Sequence, residues 1–339
     1  MTRPIVSVCV ANYQGAAVIE TCLESLLLQA CSVSFEVIVY DDASPDCSAR
    51  LVAERFPGVR LIAGEANVGY CQANRIMVRQ AEGDYILLFN NDAWLLPGSL
   101  QALFDTAQRI GSPAILGLPQ FNASTEVLED RGRLIDPFFN AVPNLDFERM
   151  DVAMVAGACL WIPKQLWQQL GGFPEWFEST GEDLYLCCAA RLHGYPVQVL
   201  QFGGFYHWIG HSIGGGKISD GRLASTSGRR FRSERNKLAV VIACFPRPLN
   251  YLWALVIAMQ LLLEGGCLAI MKGSKSVFTD IYMRAIIDLV RRGGDVGNIG
   301  LKPKPSFLQS VGFRGVMTWI PYKLCLLFRH GVPNIERRK

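Results

Sequence analysis

None of the eleven cysteines belongs to a CxxC pair, so the usual zinc-binding spacings are missing. Cys187-Cys188 are adjacent in a helical pattern, which favours core positions over metal ligation. The N-terminus reaches Asn12 before an apolar stretch of secretory length has formed. Together these features point to reduced thiols in a cytoplasmic setting. A charge-free run of spanning length is also lacking. Leu249–Leu263 is 15 residues, Glu264 interrupts it, and a spanning helix needs about 20. Charged residues are only 19% of the chain and hydrophobic residues 50%, which excludes a disordered composition. There is no Walker A motif, because Lys217 is followed by Ile218 and position 211 is not glycine. No internal repeat is present. Gly214-Gly215-Gly216 therefore reads as a mobile flap, and GGDVGNIG at 293–300 as a weak glycine signal in a loop.

The small net charge of +3 hides an asymmetry. Residues 217–339 hold 21 basic and 7 acidic residues, a net of +14, while residues 1–216 hold 12 and 23, a net of −11. An acidic body with a basic, apolar tail argues against a nucleic-acid partner. It suits a catalytic body held at an anionic membrane surface. The division expected is a catalytic domain over 1–240 and a helical tail over 241–339. The tail mixes apolar residues, aromatics and Arg/Lys as interfacial helices do. A soluble helical subdomain packed on the body fits the same pattern.

Within the first 120 residues, short β-rich segments at Ile5–Ala11, Phe35–Tyr40, Val59–Ala63, Tyr85–Phe89 and Ala114–Leu118 alternate with helical patterns. This predicts an α/β fold, a mostly parallel sheet with helices on both faces. Ligands of such sheets bind beyond the carboxyl ends of the strands. Polar residues gather at those ends: Asn12-Tyr13, Asp41-Asp42 and Asn90-Asn91-Asp92. Each is an ordinary turn or cap by itself. Together they offer hard oxygen ligands suited to Mg²⁺ or Mn²⁺. Glu182 and Asp183 open a helix, where the dipole favours carboxylates in any case, or where a base could stand at a crevice edge. His207 follows an apolar stretch and could complete a metal site as a neutral imidazole. Residues 120–150 read as an irregular loop region or hairpin.

In this order, VSVCVANYQG, VIVYDDAS, ANVGYCQANRIMV, AEGDYILLFNND, VAGACLWIPKQLWQQLGGF, GEDLYLCCAARLHGY and YHWIGHS resemble the blocks of family 2 inverting glycosyltransferases. The likeness is greatest to the bacterial rhamnosyltransferase-like branch that builds cell-surface polysaccharides, and it covers roughly residues 4–240. It implies a GT-A fold, a nucleotide-diphosphate-sugar donor, a saccharide or lipid-linked acceptor and a divalent cation. By position, Ala11, Asn12 and Tyr13 would line the nucleotide pocket and Asp41 would face the base or ribose. Asn67, Gly69, Asn74 and Asn91 would belong to the donor site, and Arg235, with Asn236, would stand near the diphosphate. Asp92, His207 and Asn90 would hold the metal. Asp183 would be the catalytic base, with Glu182 orienting the acceptor. The motif departs from DxD at Asn90, where an amide replaces a carboxylate and lowers the charge of the site. The enzyme would be peripheral on the inner face of the cell membrane. A sugar nucleotidyltransferase and a non-catalytic glycosyltransferase-like partner remain alternatives.

Overall fold

The computed structural model describes residues 3–208, 215–219, 222–299 and 305–336. Gly214 of the glycine run, and Gly300 at the end of GGDVGNIG, lie outside the described residues. Along the chain the strands are β1 (Val6–Asn12), β2 (Phe35–Asp41), β3 (Arg60–Ala63), β4 (Tyr85–Asn90), β5 (Ala93–Leu95), β6 (Ile115–Gly117), β7 (Gln120–Asn122), β8 (Leu128–Asp130), β9 (Arg133–Ile135), β10 (Ala141–Pro143), β11 (Cys159–Pro163), β12 (Val197–Val199), β13 (Phe205–His207), β14 (Gly215–Ser219), β15 (Arg222–Thr226) and β16 (Asn334–Glu336). The larger helices are α1 (Ile19–Leu27), α2 (Ser48–Arg55), α3 (Tyr70–Gln80), α4 (Ser99–Ile110), α5 (Lys164–Leu170), α6 (Glu182–Leu192), α7 (Ser227–Cys244) and α8 (Leu249–Met271).

Seven strands form the main sheet in the order β12-β6-β11-β4-β1-β2-β3. All its pairings are parallel except those of β11, which runs against β4 and β6. Alternation along β1 sorts the core into two layers, because successive side chains leave a strand on opposite faces. Val6, Val8 and Val10 pack with α1, α2 and α4, while Cys9 joins the layer built by α3, α5, α6 and α7. The five segments expected as strands are strands, and helices cover both faces. The order places β1 between β2 and β4, so Asp41 and Asn90 are not on neighbouring strands. Asn12 stands between them, paired in register with Asp41.

A second, four-stranded sheet runs β5-β13-β7-β8, and β9 pairs with β10. Thus, of the two readings of 120–150, the hairpin holds: the segment contains two short ones. Residues 215 and 216 begin β14, which pairs with β15, and β16 lies parallel to β15. Residues 293–298 are helical, not a loop. All eleven cysteines are free.

The C-terminal part shares one core with the body. Ile257, Leu261 and Leu268 of α8 join the same apolar cluster as Cys9 and Ile38, and position 240 falls inside α7. Glu264 does not end α8, which runs for 23 residues from Leu249 to Met271. Its carboxylate is matched by Lys323 at 2.8 Å, Arg230 at 3.2 Å and the hydroxyl of Tyr282 at 2.8 Å. Ala254, Ile257, Leu261 and Leu268 form the buried stripe of this helix. Leu252, Leu255, Val256, Met259 and Leu263 form an exposed apolar one.

Candidate functional site

The carboxyl ends of β1, β2 and β4 are tied by one buried polar network. The amide of Asn12 donates to Asp41 Oδ2 at 2.7 Å and to Ser48 Oγ at 2.9 Å, and its oxygen accepts from Asn91 at 2.8 Å. Asp41 Oδ1 accepts from the backbone of Ser44 at 2.9 Å. Asn12, Asp41, Ser48 and Asn91 are all buried. Satisfied networks of this kind fix geometry. Gly15 is required above it, since a Cβ there would stand 2.0 Å from Asn12 Oδ1 and 2.6 Å from Asn91 Nδ2. Asp41, Asn12 and Asn91 therefore shape the floor of the crevice, and the Asp41 carboxylate is enclosed rather than open to a ribose.

Asp42 acts on the neighbouring loop. Its two carboxylate oxygens accept from the backbone of Val68 at 2.6 Å and Gly69 at 2.9 Å. Gly69 has a φ of +83°, a region open to glycine, and α3 starts directly after it. Asn67, in this loop, and Tyr13, after β1, are exposed, and neither side chain has a hydrogen-bond partner among the described residues. Ala11 is half-buried at the end of β1. Asn74 faces inward, its amide bonded to the carbonyl of Tyr70 one turn back at 2.9 Å, and so serves α3 itself.

The turn Asn91-Asp92 leads from β4 into β5, and β5 pairs with β13 so that Ala93 faces His207. This brings His207 Nε2 to 3.1 Å from Asp92 Oδ1, and the Asn90 amide nitrogen lies 3.5 Å from the same ring nitrogen. Asn90 Oδ1 is buried without a hydrogen-bond partner among the described residues. One imidazole, one carboxylate and one unengaged amide oxygen form a donor set that suits Mg²⁺ or Mn²⁺. Among the described residues no three His, Cys, Asp or Glu side chains gather, so a cation here would depend on the Asn90 oxygen as well.

Gly157, just before β11, joins this corner to the acidic pair. Its N–H donates to Asp183 Oδ2 at 3.1 Å, and its carbonyl accepts from the hydroxyl of Tyr70 at 3.0 Å. The next carbonyl, Ala158, accepts from the backbone of Asn90 at 3.1 Å. The start of α6, α3 and the end of β4 thus meet at two consecutive small residues. Their only sequence signal was the small-residue stretch VAGA within a longer block. Asp183 Oδ1 also accepts from the backbone of Leu184 at 2.8 Å. Glu182 is 7% exposed, and its Oε2 has no hydrogen-bond partner among the described residues. Burial, reinforced by the adjacent Asp183 charge, pushes its carboxyl up to about 8. This favours the protonated, hydrogen-bond-donating form of the Glu182 carboxyl.

Arg235 is not placed for a diphosphate. It is 1% exposed, and its nitrogens are held by Asn236 Oδ1 at 2.9 Å, Asp288 Oδ2 at 3.0 Å and the carbonyl of Trp176 at 3.0 Å. By contrast, the Arg229 side chain has no hydrogen bond or ion pair among the described residues. Burial, and then the nearby Arg133, lower its pKa, while Glu182 and Asp183 act in the opposite direction.

Residues 7–167 match the family model of glycosyl transferase family 2. Over 114 residues the chain is 37% identical to the uncharacterized protein MT1568 of Mycobacterium tuberculosis, covering 33% of this chain and 34% of that protein. It thus spans about a third of that relative's length. Over 243 residues it is 27% identical to the N-acetylglucosaminyl-diphospho-decaprenol L-rhamnosyltransferase of Mycobacterium tuberculosis, covering 62% of this chain and 77% of that one. The structure of GalNAc-T7 with UDP, GalNAc and Mn²⁺ superposes with a TM-score of 0.58 at 15% identity, over 89% of this chain and 59% of that chain. At that identity the likeness is one of fold.

Proposed function

We propose that this chain, whose residues 7–167 are a family 2 glycosyltransferase domain, transfers a sugar from a nucleotide-diphosphate donor to a saccharide or lipid-linked acceptor with inversion. The observation that supports this reading is the junction at Gly157-Ala158, whose backbone bonds the Asp183 carboxylate on one side and the backbone of Asn90, next to the Asp92–His207 pair, on the other. The mycobacterial relative named as an L-rhamnosyltransferase favours a deoxyhexose such as rhamnose as the sugar.

The donor lies across the strand ends, where the exposed Tyr13 and Asn67 and the Asp42-braced Gly69 loop receive its nucleotide. Asp92, His207 and Asn90 would hold a divalent cation, which when bound supplies positive charge beside the departing diphosphate. Asp183 accepts the proton of the acceptor hydroxyl as that oxygen attacks the anomeric carbon. Direct displacement inverts the carbon and needs one base on the face opposite the leaving group; such a base contributes about 10²–10⁴-fold. Glu182, holding its own proton, donates a hydrogen bond from its carboxyl group to the acceptor. It thereby leaves proton removal to Asp183.

The exposed stripe of α8, with the net charge of +14 over 217–339, supports a tail lying in the plane of an anionic membrane. By length and composition α8 is the one described helix long and apolar enough to cross a membrane. Its other stripe is packed on protein, and Glu264 is paired midway, so lying on the surface fits better than crossing.

The deciding experiment pairs transfer assays with thermal shifts by UDP, GDP and dTDP, each with and without Mn²⁺. Asp183→Asn is expected to lower transfer at least about 10²-fold while keeping the nucleotide shift. Persisting transfer would sink the base assignment, and a shift indifferent to Mn²⁺ would sink the cation site.

A further inference from the structure

The acidic pair is preceded by a loop that its own backbone disfavours. Glu178 and Thr180 have φ of +63° and +65°, left-handed values that residues with a Cβ rarely adopt, and Gly181 follows at +91°. Such strain persists only where the surroundings impose it. Here the restraint comes from α7. The single amide nitrogen of Asn236 donates to the carbonyls of Phe177, Ser179 and Thr180 at 3.0, 3.3 and 2.7 Å. A Cβ on Gly181 would sit 3.2 Å from the Asn236 side chain, so the loop closes directly over it. Arg235 fixes the orientation of that amide, holds the carbonyl of Trp176 and lies between the rings of Trp176 and Phe231. Asp288, on the helix Arg284–Arg291, anchors the guanidinium from behind. On the crevice side the carbonyl of Glu178 accepts from the backbone of Cys71 at 3.1 Å, at the start of α3.

We propose that Arg235-Asn236, anchored by Asp288, is a positioning pair that straps the 176–181 loop and so fixes Asp183 relative to α3 and the donor beside it. Neither residue touches a substrate. Both act through the loop, and the inference rests on the reading of Asp183 as base. The strap also ties the crevice to the C-terminal helices, because Asp288 shares its helix with the exposed Ile287 and Val290.

The test uses the whole chain carrying Asn236→Ala, with Asp288→Asn and Asp183→Asn alongside. Displacing a base by about 1 Å costs on the order of 10²-fold, so kcat for Asn236→Ala is expected to fall about 10–100-fold with the donor KM within about twofold. Amide hydrogen exchange at residues 177–182 should accelerate, and the thermal shift given by whichever of UDP, GDP or dTDP stabilises the unaltered chain should remain. Asp288→Asn should move the same quantities in the same direction by less. An unchanged kcat despite faster loop exchange overturns the proposal, as does a KM rise accompanied by loss of the nucleotide shift. If Asn236→Ala does not fold, an unchanged kcat in Asp288→Asn overturns it instead. Transfer persisting in Asp183→Asn marks failure of the base assignment, whereas an inert Asp183→Asn beside a fully active Asn236→Ala marks failure of the strap alone.

Discussion

Glu182 in the crevice and Glu234 beneath the C-terminal helices are 7% and 3% exposed, yet they sit in opposite surroundings. Glu182 has an acidic neighbour and an oxygen without a hydrogen-bond partner, and its carboxyl is pushed up. Glu234 would be raised by burial too, but the ammonium groups of Lys237 and Lys323 hold it well below the usual carboxylate range. Lys323 also reaches Glu264, which Arg230 and Tyr282 share, so this seam closes as an alternating chain of charges. Burial is common to both sites. What differs is the charge beside the group: where ammonium groups pair the carboxylate directly, it binds two parts of the molecule together, and where an adjacent carboxylate outweighs the Arg229 guanidinium, the group is pushed toward its protonated form.

Removing a partner from the seam should have the largest effect. Lys323→Met leaves Glu234 and Glu264 with less countercharge and is expected to destabilise by about 3 kcal/mol, since breaking a buried pair strands a charge. Urea unfolding checks this, and an unchanged midpoint would mean that the seam is not holding the C-terminal part. Glu182→Gln should do the reverse. A carboxyl whose folded value of about 8 exceeds its ordinary 4.5 weakens the fold as pH rises through that interval. The substitution is therefore neutral below the interval and stabilising by roughly 1–3 kcal/mol above it. Melting curves across that range decide the matter, and a pH-independent difference would contradict the assignment. The seam carries the opposite sign, because groups held low lose their contribution as pH falls.

The smallest effect contrasts the two stripes of α8. Leu255→Glu with Leu263→Glu, on the exposed stripe, should leave the melting temperature within a few degrees but lower binding to phosphatidylserine vesicles about tenfold or more. Equal binding by both proteins would remove the membrane reading.

Much of the fold was legible in the sequence because parallel strands buried on both faces write continuous apolar runs, as in Tyr85–Phe89. The strand-end cluster was legible for the same reason, since such a run must stop at polar residues where a ligand can reach. Asp92 and His207 were both singled out, and the β5–β13 pairing brings them to 3.1 Å. Arg235 and Asp41 were legible as residues but not in their surroundings. The family resemblance put Arg235 near a diphosphate, but Asp288, 53 positions away in sequence, is bonded to it. Loop and hairpin could not be told apart within 120–150 because strands of three residues carry too few positions for alternation to register.

The sequence by itself determined the alternation of strands and helices, the order of the polar blocks at the strand ends and the division of charge between body and tail. Each is a local property: it depends on side-chain period, composition or adjacency. Tertiary structure alone decided which polar groups remain available. Asn12 and Asp41 satisfy one another across adjacent strands, Arg235 is filled by a loop and a distant helix, and Glu182 is set beside Asp183, whose charge outweighs that of Arg229. A hydrogen bond or an ion pair is completed by whatever the fold brings within about 3 Å, and for these groups the partners come from segments far apart in the chain.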